Sequence, residues 1–199
     1  MGANNHHHIL SVMDDLSGAI IEIGTAAWGG STDCFATLAA CHDRFTFHTV
    51  DTGDGPHAYA SALAKRIPRM LVHKMTGEVF LSEVYPSLSH PICYAYLDNY
   101  DWNYDEGKAG PEQDWITEQR RSYEAMGLEY SNAASAQAHL MQTMELIKFA
   151  GPRCIILYDD TYQIRSKWHG KGMIAIPHLL EKGWKIVEKT DLSVGLSNY

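Results

Sequence analysis

The fold of this chain is indicated by one short stretch of sequence, AIIEIGTAAWGGST at residues 19–32. Its mostly apolar start, residues 19–23, is typical of a strand that is buried in a parallel sheet. Gly24 begins a turn, and Ser31 is a residue type that commonly caps a helix. The stretch therefore predicts a strand, a glycine-containing turn and a helix in direct succession. Such a turn lets a ligand approach the backbone closely.

Strand and helix patterns continue to alternate after this stretch. Further strands are predicted at residues 45–50, 70–73, 92–97 and 154–158, with a closing pair at 184–188 and 193–197. Helices are predicted from residue 31 to about 41, from Pro56 to before Pro68, and at 79–84, 112–126, 132–150 and 171–182. This order predicts an α/β fold, a Rossmann-like, doubly wound and mostly parallel sheet with a C-terminal antiparallel strand pair. Residues 1–199 are expected to form a single domain.

The amino-acid composition and charge of the chain argue against some classes of binding partner. Hydrophobic residues make up 45% of the 199 residues, as in an ordinary globular protein, and the net charge is −8. An acidic surface repels phosphate backbones, so nucleic acid is not expected as a partner. No apolar run approaches the roughly 20 residues of a membrane span. The four cysteines form no CxxC pair, which favours a reducing, cytoplasmic location. The sequence does not decide between a monomer and a homo-oligomer.

Acidic residues follow three of the predicted strands. Asp51 ends the second strand, Asp98 the fourth, and Asp159 and Asp160 the fifth. Ligands of open parallel sheets bind at the carboxyl ends of the strands, so these side chains are expected at one edge. An acid in the position of Asp51 can accept hydrogen bonds from both ribose hydroxyls. Together with the glycine turn, it predicts a nucleoside-type ligand.

Two segments carry a resemblance to a known family, IIEIGTAAWGGST at residues 20–32 and FHTVDT at residues 47–52. They resemble the first motif and the acidic second-strand end of class I S-adenosylmethionine-dependent methyltransferases. The resemblance implies S-adenosylmethionine as cofactor and a small-molecule methyl acceptor as partner. It places the donor-binding residues in the turn and at two strand ends: Glu22, Gly24, Thr25, Gly29, Gly30, Ser31, Asp51 and Asp98. Ala26 stands where the family has a second glycine, so we expect the turn to follow a variant path.

The acids after the fourth and fifth strands resemble those of metal-dependent O-methyltransferases of the macrocin and catechol types. That resemblance implies Asp98, Asp159 and Asp160 as ligands of Mg²⁺, a cation that prefers oxygen ligands. A bound metal would lower the pKa of an acceptor hydroxyl and orient it towards the methyl group. In the alternative interpretation, Asp159 and Asp160 cap the loop, and Asp98 bonds to a sugar or to an ordered loop.

Two residues are candidates for catalysis, Asp98 and His139. Asn132, Ser135 and His139 are spaced to share one face of a helix, and a histidine can act as a general base near neutral pH. The alternative, which we favour for His139, is a packing role. Lys171 lies between two glycines in a segment interpreted as a mobile turn, where it could contact an acidic or hydroxylated substrate.

Three functions fit these patterns. The first is O-methylation of a small hydroxylated molecule, with assistance from Mg²⁺ left open. The second is an NAD(P)-dependent oxidoreductase, which the absence of GxGxxG disfavours. The third is a protein that binds S-adenosylmethionine without transferring the methyl group, which the variant turn leaves open.

Overall fold

A computed structural model of the chain describes residues 15–26, 30–88, 90–107 and 113–199. The strands in these ranges are β1 (Gly18–Ile23), β2 (Phe45–Asp51), β3 (Met70–Lys74), β4 (Ile92–Leu97), β5 (Ala150–Tyr158), β6 (Thr161–Ile164), β7 (Lys167–Gly170), β8 (Lys185–Lys189) and β9 (Val194–Ser197). Seven of them form one sheet in the order β3-β2-β1-β4-β5-β9-β8, and β6 pairs with β7 in a separate hairpin. Strands β1 to β5 are parallel to one another, whereas β9 is antiparallel to both β5 and β8. The predicted fold class is therefore confirmed.

Within the described ranges, helices alternate with the strands along the chain. They are α1 (Ser31–Cys41), α2 (Asp54–Ala64), α3 (Gly77–Val79), α4 (Asp114–Ala125), α5 (Asn132–Leu146) and α6 (Ala175–Glu181). Helix α3 continues as a π-helical turn, Phe80–Val84, and a 3-10 turn, Tyr85–Ser87. The Ser131 hydroxyl caps α5 by accepting a hydrogen bond from the Ala134 N–H, at 3.1 Å.

The sheet is buried on both faces, as the apolar strand sequences predict. Along β1, Ile21 belongs to one hydrophobic cluster and Ile20 to the other, because successive side chains of a strand point to opposite faces. On β4, Ala95 likewise belongs to the first hydrophobic cluster and Tyr94 to the second. Two cores therefore hold the sheet between helical layers and fix its carboxyl edge in place.

Strand β5 begins at Ala150, earlier than the sequence indicates. Helix α5 ends at Leu146, and the Phe149 carbonyl accepts a hydrogen bond from the Ile92 N–H at 2.8 Å, so the chain has already joined the sheet there. Ile92 pairs with Ala150 but Tyr94 pairs with Ile155, which gives β5 a bulge. The bulge accommodates Pro152, which has no N–H to donate to a regular ladder.

The β6–β7 hairpin was not predicted. Its two turn residues, Arg165 and Ser166, have φ angles of 45° and 67°, values usually taken by glycine or asparagine in a two-residue hairpin turn. The predicted turn at Lys171 is present, at residues 171–174 directly after β7, but Lys171 is buried there, which does not fit a mobile segment. Helix α6 accordingly starts at Ala175, after a turn, and not at 171.

Among the described residues, no helix is long and apolar enough to cross a membrane.

Candidate functional site

A cleft of about 350 Å³ opens at the carboxyl edge of the sheet. The segments that follow β1, β2 and β4 form its floor, with Gly24, Asp51 and Asp98 among the lining residues. Helix α4 provides the opposite wall through Ser122, Tyr123 and neighbouring side chains. The position agrees with the rule that open α/β sheets bind their ligands at this edge.

Gly24 lies where the turn after β1 crosses the end of β4. Its φ is 98°, and a Cβ atom at this position would lie 2.6 Å from the backbone nitrogen of Asn99. Backbone hydrogen bonds secure the crossing, since the Gly24 N–H donates to the Val50 carbonyl at 3.0 Å and the Asp98 N–H donates to the Ile23 carbonyl at 2.8 Å. Glycine is therefore required here for close packing of two backbones at the floor of the cleft.

Glu22 is fully buried and does not line the described cleft, in contrast to the expectation that it binds the donor directly. Its carboxylate accepts hydrogen bonds from the hydroxyls of Ser31 at 2.5 Å, Thr32 at 2.7 Å and Thr49 at 2.6 Å. The Thr32 hydroxyl in turn accepts the Ala26 N–H at 2.9 Å. Glu22 thus ties the start of α1 and strand β2 to β1 and holds the turn from beneath.

Burial raises the pKa of Glu22 to about 7, from an ordinary value of 4.5. The hydrogen bonds from the three hydroxyls act in the opposite direction but are outweighed by the loss of hydration. The core of the motif therefore contains an acid that titrates near neutral pH.

Asp51 lies at the end of β2 and lines the cleft, as predicted. Its Oδ1 accepts the Gly53 N–H at 2.7 Å, and its Oδ2 accepts the Thr25 N–H at 2.9 Å. The Thr25 hydroxyl pairs with that of Thr49 at 2.7 Å. Each carboxylate oxygen has a second lone pair, so the oriented carboxylate can still accept hydrogen bonds from a diol such as a ribose.

The other predicted donor-binding residues occupy different positions. Thr25 lines the cleft, whereas Gly30 and Ser31 are not among its lining residues. Gly30 precedes α1, where a Cβ atom would lie 2.5 Å from that of Ala26. Gly29 lies outside the described residues.

The three predicted metal ligands, Asp98, Asp159 and Asp160, are neighbours, and we call them the acid cluster. The Lys171 ammonium lies between two of them, with its Nζ 2.7 Å from Asp98 Oδ1 and 3.0 Å from Asp160 Oδ2. Lys171 is 1% exposed, and these two carboxylates raise its pKa even though burial opposes the charge. Where the resemblance implies a metal ion, the structure has a lysine.

Tyrosine hydroxyls bind other oxygens of the acid cluster. Tyr96 donates to Asp159 Oδ2 at 2.9 Å, and Tyr104 donates to Asp160 Oδ1 at 2.7 Å. Burial, together with the charges of Asp98 and Asp160, raises the pKa of Asp159 to about 6. Within the described ranges, no group of three or more His, Cys, Asp or Glu side chains has a geometry that could hold a metal ion.

His139 lies on α5 at 0% exposure and is not among the residues lining the cleft. Its Nδ1 donates to the Ser135 carbonyl at 2.7 Å, and burial together with the Lys171 charge lowers the pKa of His139 to about 3. It is therefore neutral, and its position fits the packing role. Its face of α5 instead orders the loop after β4, since the Ser135 hydroxyl donates to the Tyr100 carbonyl at 3.0 Å.

Two sets of contacts at the site were not predicted from the sequence. The hydroxyls of Thr32 and Thr49 donate hydrogen bonds to the Glu22 carboxylate, in addition to that of Ser31. Thr49 can be placed beside Glu22 only when the register between β1 and β2 is known. Lys171 was noted, but its pairing with Asp98, 73 residues away, has no local signal.

No protein-family model and no curated protein matches the chain. Solved structures do. The calicheamicin methyltransferase CalS11 aligns with a TM-score of 0.59 and 14% identity over 97% of this chain and 77% of that one. The N-methyltransferase NodS of Bradyrhizobium japonicum, solved in complex with S-adenosylhomocysteine, aligns with a TM-score of 0.55 and 13% identity over 98% of this chain and 86% of that one. The chain has the methyltransferase fold. Likeness at this level of identity concerns the architecture, and the chemistry has to be argued from the site.

Proposed function

We propose that the chain is an S-adenosylmethionine-dependent methyltransferase that acts on a small hydroxylated molecule. The observation that carries the proposal is the cleft itself. It combines the tight Gly24 crossing and the oriented Asp51 carboxylate on adjacent parallel strands. The structures aligned above support it, because one contains S-adenosylhomocysteine and another, CalS11, is described as a TDP-rhamnose 3′-O-methyltransferase.

In this proposal, Asp51 binds the ribose of the donor and the turn after Gly24 contacts its methionine part. Asp98 lines the same cleft and carries a carboxylate suited to the donor's ammonium group. The cleft volume of about 350 Å³ falls within the range of small-molecule sites.

Methyl transfer breaks the carbon–sulfur bond of the donor while the acceptor oxygen bonds to the methyl carbon, and the acceptor hydroxyl loses its proton. Among the described residues, three carboxylates line the cleft, those of Asp51, Asp98 and Asp101. Asp51 and Asp98 are assigned to donor binding, so Asp101 is the carboxylate that accepts the proton of the acceptor hydroxyl. Loss of hydration raises the pKa of Asp101, which favours a carboxylate that accepts a proton. His139 is a weaker candidate because it does not line the cleft.

Magnesium does not fit the site as the structure has it. Mg²⁺ needs carboxylate oxygens at about 2.1 Å with room for several waters. The oxygens of Asp98 and Asp160 nearest to such a position are already bonded to the Lys171 ammonium.

The proposal is tested by calorimetry with S-adenosylhomocysteine, S-adenosylmethionine and NAD. We expect the two adenosyl ligands to bind and NAD to bind more weakly, and preferential binding of NAD would refute the methyltransferase assignment. Mass spectrometry of sugars and phenols incubated with S-adenosylmethionine then detects transfer. With the acceptor found, Asp101→Asn should lower kcat and leave the affinity for S-adenosylhomocysteine unchanged. Donor binding without transfer to any tested acceptor would favour the non-catalytic alternative.

A further inference from the structure

We propose that Lys171 is the resident cation of this site and positions Asp98 and Asp160 in the place of a divalent metal ion. The inference depends on the proposed function in one respect, that Asp98 binds the methyl donor. The placement of the lysine is independent of it.

The geometry around the Lys171 ammonium is that of a coordinated cation. Its Nζ lies 2.7 Å from Asp98 Oδ1, 3.0 Å from Asp160 Oδ2 and 3.4 Å from the Asp98 carbonyl oxygen. The side chain is 2% exposed, whereas those of Asp98 and Asp160 are 29% and 22% exposed. The cation is thus shielded from water on the inner side of the cluster, and the carboxylates separate it from the solvent.

Tyrosine hydroxyls also contact each acid of the cluster. Tyr104 binds Asp160 Oδ1, and Tyr96 binds Asp159 Oδ2 and lies 3.5 Å from Asp98 Oδ2. A divalent ion placed between Asp98 and Asp160 would have to displace the ammonium. Partly buried carboxylates this close together would repel each other without a positive partner, and the lysine supplies that charge.

The backbone around Lys171 is built to hold it there. Gly170 has a φ of 91°, and a Cβ atom would lie only 1.8 Å from the Asp160 carbonyl oxygen. The Lys171 N–H donates to that same carbonyl at 3.2 Å, and the next residue, Gly172, donates its N–H to the Thr161 hydroxyl at 2.9 Å. The lysine is therefore fixed at both its backbone and its ammonium, unlike a surface side chain that could withdraw to admit a metal.

Lys171 acts through Asp98 and is a positioning residue. Asp98 Oδ1 is bonded to the ammonium, while the residue lines the donor cleft. Removal of the ammonium should leave Asp98 free to rotate and to repel Asp160. The expected effect is weaker binding of S-adenosylhomocysteine, by roughly 10- to 100-fold, the scale of a lost charge-assisted hydrogen bond.

The first experiment uses the unaltered protein. Electron paramagnetic resonance with Mn²⁺ should detect no stoichiometric binding, and the calorimetric affinity for S-adenosylhomocysteine should be the same in EDTA and in excess Mg²⁺. One Mn²⁺ bound per chain and lost in Asp160→Asn would overturn the proposal. Failure of S-adenosylhomocysteine to bind under any condition would count against the proposed function, and the Mn²⁺ result would still decide the role of the lysine.

The second experiment uses Lys171→Ala, with Lys171→Met as a variant that keeps most of the side-chain volume. Circular dichroism selects the folded proteins, and Lys185→Ala, an exposed lysine on β8, is the matched control. We expect a folded Lys171→Ala protein to gain a Mn²⁺ site and to lose affinity for S-adenosylhomocysteine, with partial recovery on addition of ethylammonium. A merely structural lysine would give neither the metal site nor the recovery. Folded variants that bind S-adenosylhomocysteine normally and no Mn²⁺ would refute the inference, and if neither variant folds the first experiment decides it.

Discussion

The buried Glu22 makes the stability of the protein depend on pH in a defined direction. Its pKa is about 7 in the folded protein and close to 4.5 in an unfolded chain, where it is hydrated. Between these pH values the folded state binds more protons than the unfolded state. The free energy of unfolding therefore falls as pH rises through this window, because the folded protein must then hold a charged carboxylate in its core.

The size of the effect follows from the pKa change. A pKa raised from 4.5 to about 7 corresponds to a loss of about 3 kcal/mol between the acidic and the neutral end of the window. Glu22→Gln removes the ionisation but keeps the shape and one acceptor oxygen. The variant loses part of the hydrogen bonding to Ser31, Thr32 and Thr49 at every pH, but it loses the pH-dependent penalty as well.

The measurement is urea unfolding of both proteins, followed by tryptophan fluorescence, at several pH values from about 4.5 to 8. We expect the stability of Glu22→Gln relative to the unaltered protein to increase by about 3 kcal/mol across the series. Other acids with raised pKa values, such as Asp159, contribute equally to both proteins and cancel in the difference. A difference that stays constant with pH would refute the reasoning, whatever its absolute size.

Further predictions concern the donor site and the Gly170 backbone. Asp51→Asn should weaken binding of S-adenosylhomocysteine by about 10- to 100-fold in calorimetry, because the neutral amide loses the charge and one acceptor oxygen. Asp54 is an exposed acid at the start of α2, so Asp54→Asn should leave that affinity unchanged. Equal losses of affinity in both variants would show that Asp51 does not bind the ribose. Gly170→Ala should lower the free energy of unfolding by more than about 4 kcal/mol, because its Cβ would overlap the Asp160 carbonyl oxygen. Gly127→Ala has a similar φ of 72° and open space around the Cβ, so it should cost only about 1–2 kcal/mol, and equal losses in urea unfolding would exclude the overlap as the cause.

Local patterns were enough to predict the sheet and the position of the site. The strand at residues 19–23, the helix from Ser31 and the strand that ends at Asp51 were all located from hydrophobic runs and turn residues. The acid after each strand then had to lie at one edge, since parallel strands share their carboxyl ends. This explains why Asp51 and Asp98 could be placed at the ligand-binding edge of the sheet from the sequence alone.

The roles of these residues depend on contacts that a local pattern does not contain. Glu22 looked like a ligand contact because it precedes the turn, but strand alternation directs its side chain to hydroxyls below the turn. Lys171 looked mobile because glycines flank it, whereas Gly170 is needed for the close approach to Asp160. The hairpin turn at Arg165 and Ser166 was missed because neither residue type signals a positive φ.

The hairpin also bears on the order in which the chain folds during synthesis. Asp98 and Asp160 come together when β4 pairs with β5, yet Lys171 follows β7 and leaves the ribosome after both. Until the hairpin has folded back, the nascent sheet holds its acids without a positive neighbour. We therefore expect the carboxyl ends of β4 and β5, where these acids lie, to be held together less firmly until the lysine docks.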